Sequence, residues 1–147
     1  MDGNGLRQRH SAILMRAGVL LLLLGLLTGL WVQAAANPRM ALSSHIEGVL
    51  NGMLLVILGL VWPRLKIGAG FMKAAFWLVL YGAFANWANT LIAAAWAAGG
   101  SVMPFASLGL KGTSVQELII TLGASSLAVA LLAGGVIVFW GLRGGES

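Results

Sequence analysis

No cysteine occurs among the 147 residues, so disulfide bonds and thiolate metal sites are excluded. Charged residues make up only 9% of the chain, whereas a soluble domain has about 25%. Hydrophobic residues make up 59%, and the mean hydropathy is +0.93. Such a composition excludes a soluble globular domain and predicts an integral membrane protein.

Four apolar segments are long enough to cross a membrane, which takes about 20 helical residues. Their predicted bounds are residues 10–35, 42–62, 71–98 and 114–142. The chain leaves no room for a separate soluble domain. We therefore predict an all-α membrane protein, residues 1–147 forming a single four-transmembrane-helix bundle.

Local signals predict how these segments begin. Residues 1–9 are polar and basic and predict an exposed tail, with His10 in solvent. Ser43 or Ser44 is the expected N-cap of the second segment, and Thr113 or Ser114 that of the fourth.

Basic residues predict the orientation. The N-terminal region, the connection after the second segment and the C-terminus hold seven of the nine: Arg7, Arg9, Arg16, Arg64, Lys66, Lys73 and Arg143. The two opposite connections hold only Arg39 and Lys111. The positive-inside rule then predicts that both termini are cytoplasmic. Orientation explains the net charge of +5 better than nucleic-acid binding does, so we expect no nucleic-acid partner.

The start of the second segment holds the candidate site. His45 is the only histidine inside the apolar part of the chain, and Glu47 is one of four acidic residues. A charged side chain in hydrocarbon costs about 2.5–3.5 kcal/mol, so an ionisable group here is a functional hypothesis by default. On a helical wheel His45, Gly48 and Gly52 share one stripe, and Glu47 and Asn51 share an adjacent one.

Polar stripes also run along the third and fourth segments. One is formed by Gly82, Asn86, Asn89 and Trp96, with Tyr81 at its edge, and the other by Glu117, Thr121 and Ser125. We expect the stripes to face one another around a shared polar pocket. The alternative is structural: glycine faces pack helices closely, and polar side chains only hydrogen-bond between them.

Several short motifs are distinctive: Leu27-Thr28-Gly29-Leu30, Ala36-Asn37-Pro38-Arg39-Met40, His45-x-Glu47-Gly48-x-x-Asn51-Gly52, Trp62-Pro63-Arg64, Tyr81-Gly82 with Asn86-Trp87, and Gln116-Glu117. Together they resemble hydroxylaminobenzene mutase, a small membrane isomerase. A more distant resemblance is to styrene oxide isomerase. It rests on His45, on Asn51-Gly52-Met53 and on Pro63-Arg64-Leu65.

The second resemblance implies four spans, a homotrimer and ferric haem b bound through the histidine matching His45. It implies that Asn51 lies at the substrate. An acidic residue and a tyrosine on that family's third span do not align here, and either Tyr81 or Asn86 takes the corresponding space. We expect such a protein in the bacterial inner (cytoplasmic) membrane.

The hypothesis is a redox-neutral rearrangement of an arylhydroxylamine, hydroxylaminobenzene to 2-aminophenol. His45 is the expected axial ligand, beside a groove at Gly48 and Gly52 for the flat cofactor. The remaining candidates are Asn51 and Asn86 to orient oxygen, Tyr81 to stabilise a cation, and Glu47 or Glu117 to move a proton. The substrate is a small aromatic molecule that arrives through the lipid bilayer. Alternatives are an aryl epoxide isomerase, a haem-free acid catalyst, a small transporter, and a structural or electron-transfer subunit.

Overall fold

The computed structural model describes residues 3–143, and these residues form helices joined by short connections, with no strand. The helices are α1 (Gly3–Trp31), α2 (Pro38–Val61), α3 (Ala69–Trp96), the one-turn α4 (Pro104–Ser107) and α5 (Ser114–Leu142). All except α4 are long and apolar enough to cross a membrane. The bounds of α5 coincide with the predicted ones.

The four long helices pack in the order α1, α2, α3, α5, each against the next, and α1 also reaches α3. Contacts at both ends show the antiparallel arrangement. Ser11 Oγ donates to the Gly59 carbonyl at 2.7 Å, and the Lys66 N–H donates to the Gly141 carbonyl at 2.9 Å. The start of α1, the α2–α3 connection and the end of α5 therefore lie together, at what we call the basic end. The α3–α5 connection lies at the opposite end, the far end.

Glycines bring α1 and α2 into backbone contact. A Cβ added to Gly48 would lie 2.6 Å from the Gly25 Cα, and one added to Gly52 would lie 2.6 Å from the Leu22 N. Only hydrogen fits between these backbones, so the two helices form one tightly packed pair.

Residues 4–9 are part of a helix and not a separate tail, although Asn4, Gly5, Gln8 and Arg9 are exposed, as predicted. Helix α1 already begins at Gly3, and Leu6 packs against the apolar core. His10 is buried, with its ring stacked on Phe76 at a centroid distance of 4.1 Å and edge-on to Trp62. It belongs to the packing of the basic end and is not a solvated side chain.

The predicted start of the second segment was also wrong. Helix α2 begins at Pro38, and its N-cap is Asn37, whose side chain accepts a hydrogen bond from the Met40 N–H at 3.1 Å. Proline suits the first helical position, where no N–H partner is needed, so this proline starts a helix. Ser44 is buried within α2, and its hydroxyl donates to the Trp87 carbonyl on α3 at 3.0 Å.

Candidate active site

His45 lies between α2 and α1, half-buried. Its Nδ1 is 2.8 Å from the Gly25 carbonyl oxygen. A carbonyl can only accept, so Nδ1 carries the hydrogen of this contact, and the tautomer that fits it has its lone pair on Nε2. The ring lies against Gly29, where an added Cβ would come within 2.8 Å of Nδ1. The α1 backbone therefore orients this imidazole as a potential ligand through Nε2.

The predicted cofactor groove beside Gly48 and Gly52 is not open. Helix α1 covers both glycines, and the Trp87 ring also approaches Gly48, with Cδ1 2.8 Å from an added Cβ. Their role in the structure is close helix packing, which was the structural alternative. These glycines therefore leave no space for a flat cofactor.

Glu47 lies on a different side of α2, because two residues turn a helix by about 200°. Its Oε2 accepts a hydrogen bond from the Thr90 hydroxyl on α3 at 2.6 Å. Thr90 is buried and also lies 2.9 Å from the Asn86 carbonyl oxygen. A half-buried carboxylate held by one hydroxyl is suited to accept and return a proton.

Asn51 and Asn86 lie one turn further toward the basic end. Asn51 follows Glu47 by four residues on α2, and Asn86 precedes Thr90 by four on the antiparallel α3. Asn51 is buried, with 8% of its surface exposed. No hydrogen bond of either side-chain amide is found within residues 3–143, so both amides remain available to a ligand. These residues and the Glu47–Thr90 pair form one polar strip between α2 and α3.

Tyr81 lies on another face of α3 and is half-exposed. Its hydroxyl is 2.7 Å from the Ser126 Oγ on α5. Ser126 in turn donates to the Gly123 carbonyl at 2.9 Å, so the Tyr81 hydroxyl is the donor to Ser126. Tyr81 thus links α3 to α5, apart from the α2–α3 strip.

Glu117 binds backbone at the far end. Its carboxylate accepts N–H groups from Gly99 at 2.8 Å, Gly100 at 3.3 Å, Ser101 at 2.9 Å and Gly112 at 2.9 Å. The two carboxylate oxygens thus hold both ends of the α3–α5 connection. This arrangement anchors the loop and does not bring Glu117 to Glu47.

The expected meeting of three polar stripes is not found. On α5, Ser125 is exposed and its hydroxyl donates back to the Thr121 carbonyl at 2.9 Å. Asn89 on α3 is buried and donates to the Ile120 carbonyl at 3.2 Å. The α5 stripe therefore does not face α2, and the polar strip is built by α2 and α3 alone.

Sequence reasoning missed Thr90 and the contact between Trp87 and Thr28, in which the indole N–H donates to the hydroxyl at 3.0 Å. Thr90 follows Asn86 by four residues, so its place on the same stripe was available as a signal. The link from α3 to α1 through Trp87 had no local signal, because it joins residues 59 positions apart.

The described residues contain no group of three or more His, Asp or Glu side chains that could hold a metal ion. His45 therefore offers a single protein nitrogen. One imidazole is enough only for a metal whose other ligands come with a cofactor.

The bundle has four potential spans and positions one imidazole and one carboxylate–hydroxyl pair. Groups of this kind move protons in enzymes. A sequence profile described as styrene oxide isomerase matches residues 10–143, and the chain belongs to this family.

Two curated proteins of Ectopseudomonas oleovorans are similar over 88% of this chain. One, named hydroxylaminobenzene mutase HabB, is 51% identical over 130 residues, which cover 79% of its length. The other, named hydroxylaminobenzene mutase HabA, is 40% identical over 129 residues and 96% of its length. No solved structure matches the chain. The family and both names identify the chain as an isomerase, and the transporter and structural-subunit alternatives have no support.

Proposed function

We propose that this isomerase is a membrane mutase that converts hydroxylaminobenzene to 2-aminophenol. The observation that carries the proposal is the 51% identity to a protein named for that activity, across nearly the whole of the four-helix region. The reaction breaks the N–O bond, forms a C–O bond at the ortho carbon and moves one hydrogen from ring carbon to nitrogen. No electrons are gained or lost, so no reductant or oxidant is needed.

The proposed cofactor is ferric haem b, which His45 would hold. The fit rests on this one side chain: its Nδ1 donates a hydrogen bond to the Gly25 carbonyl, which leaves Nε2 to bind the iron. Bound there, the haem would supply a Lewis acid that polarises the N–OH oxygen.

Within one subunit the polar strip lies on a different face of α2 from His45. In the proposed homotrimer, the strip of one subunit would therefore meet the cofactor held by a neighbouring subunit and supply the remaining functions. Glu47 accepts the proton released by the ring carbon and returns one to the nitrogen, while the Thr90 hydroxyl holds Oε2 in place. Asn51 and Asn86 orient the hydroxylamino group with their amides. Tyr81 lies apart from this strip, half-exposed and bonded to Ser126 on α5, and has no part in the proposed mechanism.

The proposed setting is the bacterial inner membrane, with four spans and the basic end in the cytoplasm. Seven basic residues at that end, against Arg39 and Lys111 on the other side, support this orientation. The proposed assembly is a homotrimer, which light scattering of the detergent-purified protein would test.

Product analysis tests the reaction. Purified protein given phenylhydroxylamine is expected to yield 2-aminophenol, detected by chromatography. In parallel, styrene oxide tests the epoxide-isomerase alternative, which the family description favours. Folded protein that converts only the epoxide would replace our proposal with that alternative.

The two histidines provide a matched test of the cofactor. We expect a Soret absorption band that is absent from His45→Ala and retained in His10→Phe, which preserves the aromatic packing of the basic end. If the wild-type protein turned over phenylhydroxylamine without any Soret band, the haem would be rejected and the mutase activity would stand.

A further inference from the structure

A groove of about 380 Å³ opens at the basic end, between the start of α3 and the last turns of α5. Its lining is apolar apart from one ammonium group and consists of Lys66, Ile67, Phe71, Val136, Ile137 and Trp140. The two aromatic side chains are 66% (Phe71) and 72% (Trp140) exposed. The groove is therefore open to the side of the helix bundle, where a membrane protein meets lipid.

Within residues 3–143, the charged side chains at the basic end, where this groove opens, are all basic. Lys66 lies at its rim, and Arg64, Lys73 and Arg143 lie at the same end of the molecule. Within residues 3–143 the only carboxylates are Glu47, which is bonded to Thr90, and Glu117 at the far end. Asp2 and Glu146 lie outside the described residues.

We propose that this groove binds an anionic phospholipid, with an acyl chain between Phe71 and Trp140 and the phosphate at Lys66. An apolar channel that ends in an ammonium group matches the two parts of such a molecule. Basic pockets between helices at the cytoplasmic membrane surface are known to bind anionic headgroups in this way. The long lysine side chain lets its charge reach the headgroup level while its methylene groups line the groove.

The backbone beside Lys66 adds to this complementarity. Helix α3 has Gly68 as its N-cap, with no side-chain cap, so its first N–H groups point outward without a helical partner. Nothing lies within 4 Å of a Cβ added at Gly68 or Gly70, which leaves open space for a headgroup. The positive end of the helix favours an anion at this position.

Fluorescence quenching tests the proposal. The full chain is reconstituted into phosphatidylcholine vesicles that contain equal mole fractions of brominated phosphatidylglycerol or brominated phosphatidylcholine. We expect stronger tryptophan quenching by the anionic lipid, and we expect Trp140→Phe to remove that excess. Lys66→Gln should also abolish the excess, whereas Lys111→Gln, at the far end, should retain it.

Three results would overturn the proposal. Equal quenching by the two lipids would show that the groove has no preference for the anionic headgroup. An excess unchanged in Lys66→Gln would place the lipid elsewhere. Protection of Trp140 from both brominated lipids would mean that protein, such as a second copy of the chain, covers the groove.

Discussion

At His45, a single backbone carbonyl determines which ring nitrogen is available. The Gly25 carbonyl oxygen accepts a hydrogen bond from Nδ1 at 2.8 Å, and the ring packs against Gly29. Neither residue has a functional side chain, so sequence inspection gives no reason to assign them to the site. Their contribution is to fix the imidazole before any ligand arrives, which lowers the entropic cost of binding.

Gly29→Ala tests this positioning. The added Cβ would lie 2.8 Å from His45 Nδ1 and 3.0 Å from Cε1, so the ring must move and its bond to Gly25 must lengthen. We expect the ¹⁵N shifts of the His45 imidazole to change, and cofactor affinity to fall about 10–100-fold. Gly5→Ala is the matched control, because nothing lies within 4 Å of a Cβ there. Identical spectra for both variants would contradict the assigned role of Gly29.

Glu47→Gln tests the proton transfer. The amide keeps the shape of the side chain but cannot carry the proton, so we expect kcat to fall about 10²-fold or more with little change in KM. Thr90→Val should cause a smaller fall, because the hydroxyl only holds the carboxylate. Steady-state assays with phenylhydroxylamine measure both effects.

Glu117→Gln is the acidic control for that experiment. It weakens the anchoring of the α3–α5 connection, so we expect a lower thermal midpoint and unchanged kcat per folded molecule. A selective loss of kcat in Glu117→Gln, with Glu47→Gln active, would exchange the roles of the two residues.

Helix α2 shows what a helical pattern predicts and what it leaves open. The period of 3.6 residues correctly separated the stripe of His45, Gly48 and Gly52 from that of Glu47 and Asn51. It could not say which neighbouring helix each stripe meets, because that depends on contacts between distant segments. In the structure the first stripe packs against α1 and the second against α3. The two stripes therefore lie on different faces of α2 and do not share the single pocket that the sequence predicted.

The helix ends were likewise predictable where their signals are local and were missed where they depend on distant contacts. The start of α5 was predictable because its capping signal is local: Thr113 accepts from the Gln116 N–H, and the Gln116 side chain accepts from the Thr113 N–H. The start of α2 was missed because the N-cap was predicted at Ser43 or Ser44, beyond Asn37 and Pro38. Asn37 also donates to the Ala106 and Ser107 carbonyls at 3.2 Å, which no local pattern predicts.

Two glycine variants test the α1–α2 packing. Gly48→Ala places a Cβ against the Gly25 backbone, which cannot move without separating the helices, so we expect a loss of about 1–3 kcal/mol in stability. Gly135→Ala on α5 has open space and should be neutral or slightly stabilising, because alanine is the better helix former. Thermal unfolding in detergent compares them, and equal midpoints would argue against tight α1–α2 packing.

Across the whole molecule, the distribution of charge predicts how the bundle lies in a membrane. The α2–α3 connection belongs to the basic end, and the α3–α5 connection to the far end. Since the chain contains no cysteine, single cysteines can report which side each connection occupies without any background.

We expect an impermeant maleimide to label Ser101→Cys from the periplasmic side of cells with a permeable outer membrane. Gly68→Cys should react only after the inner membrane is opened. Both positions accept a thiol, since Ser101 is exposed and Gly68 has open space around its Cα. The reverse labelling pattern would invert the proposed orientation.

The contacts between α1 and α2 have a consequence for biogenesis. Gly25, Gly29 and His45 all lie within the first two helices, which end at Val61 of a 147-residue chain. As a ribosome delivers the chain to the bilayer, this hairpin can pair before α3 and α5 have been synthesised. The His45 imidazole would then be oriented by α1 before the later helices pack against the hairpin.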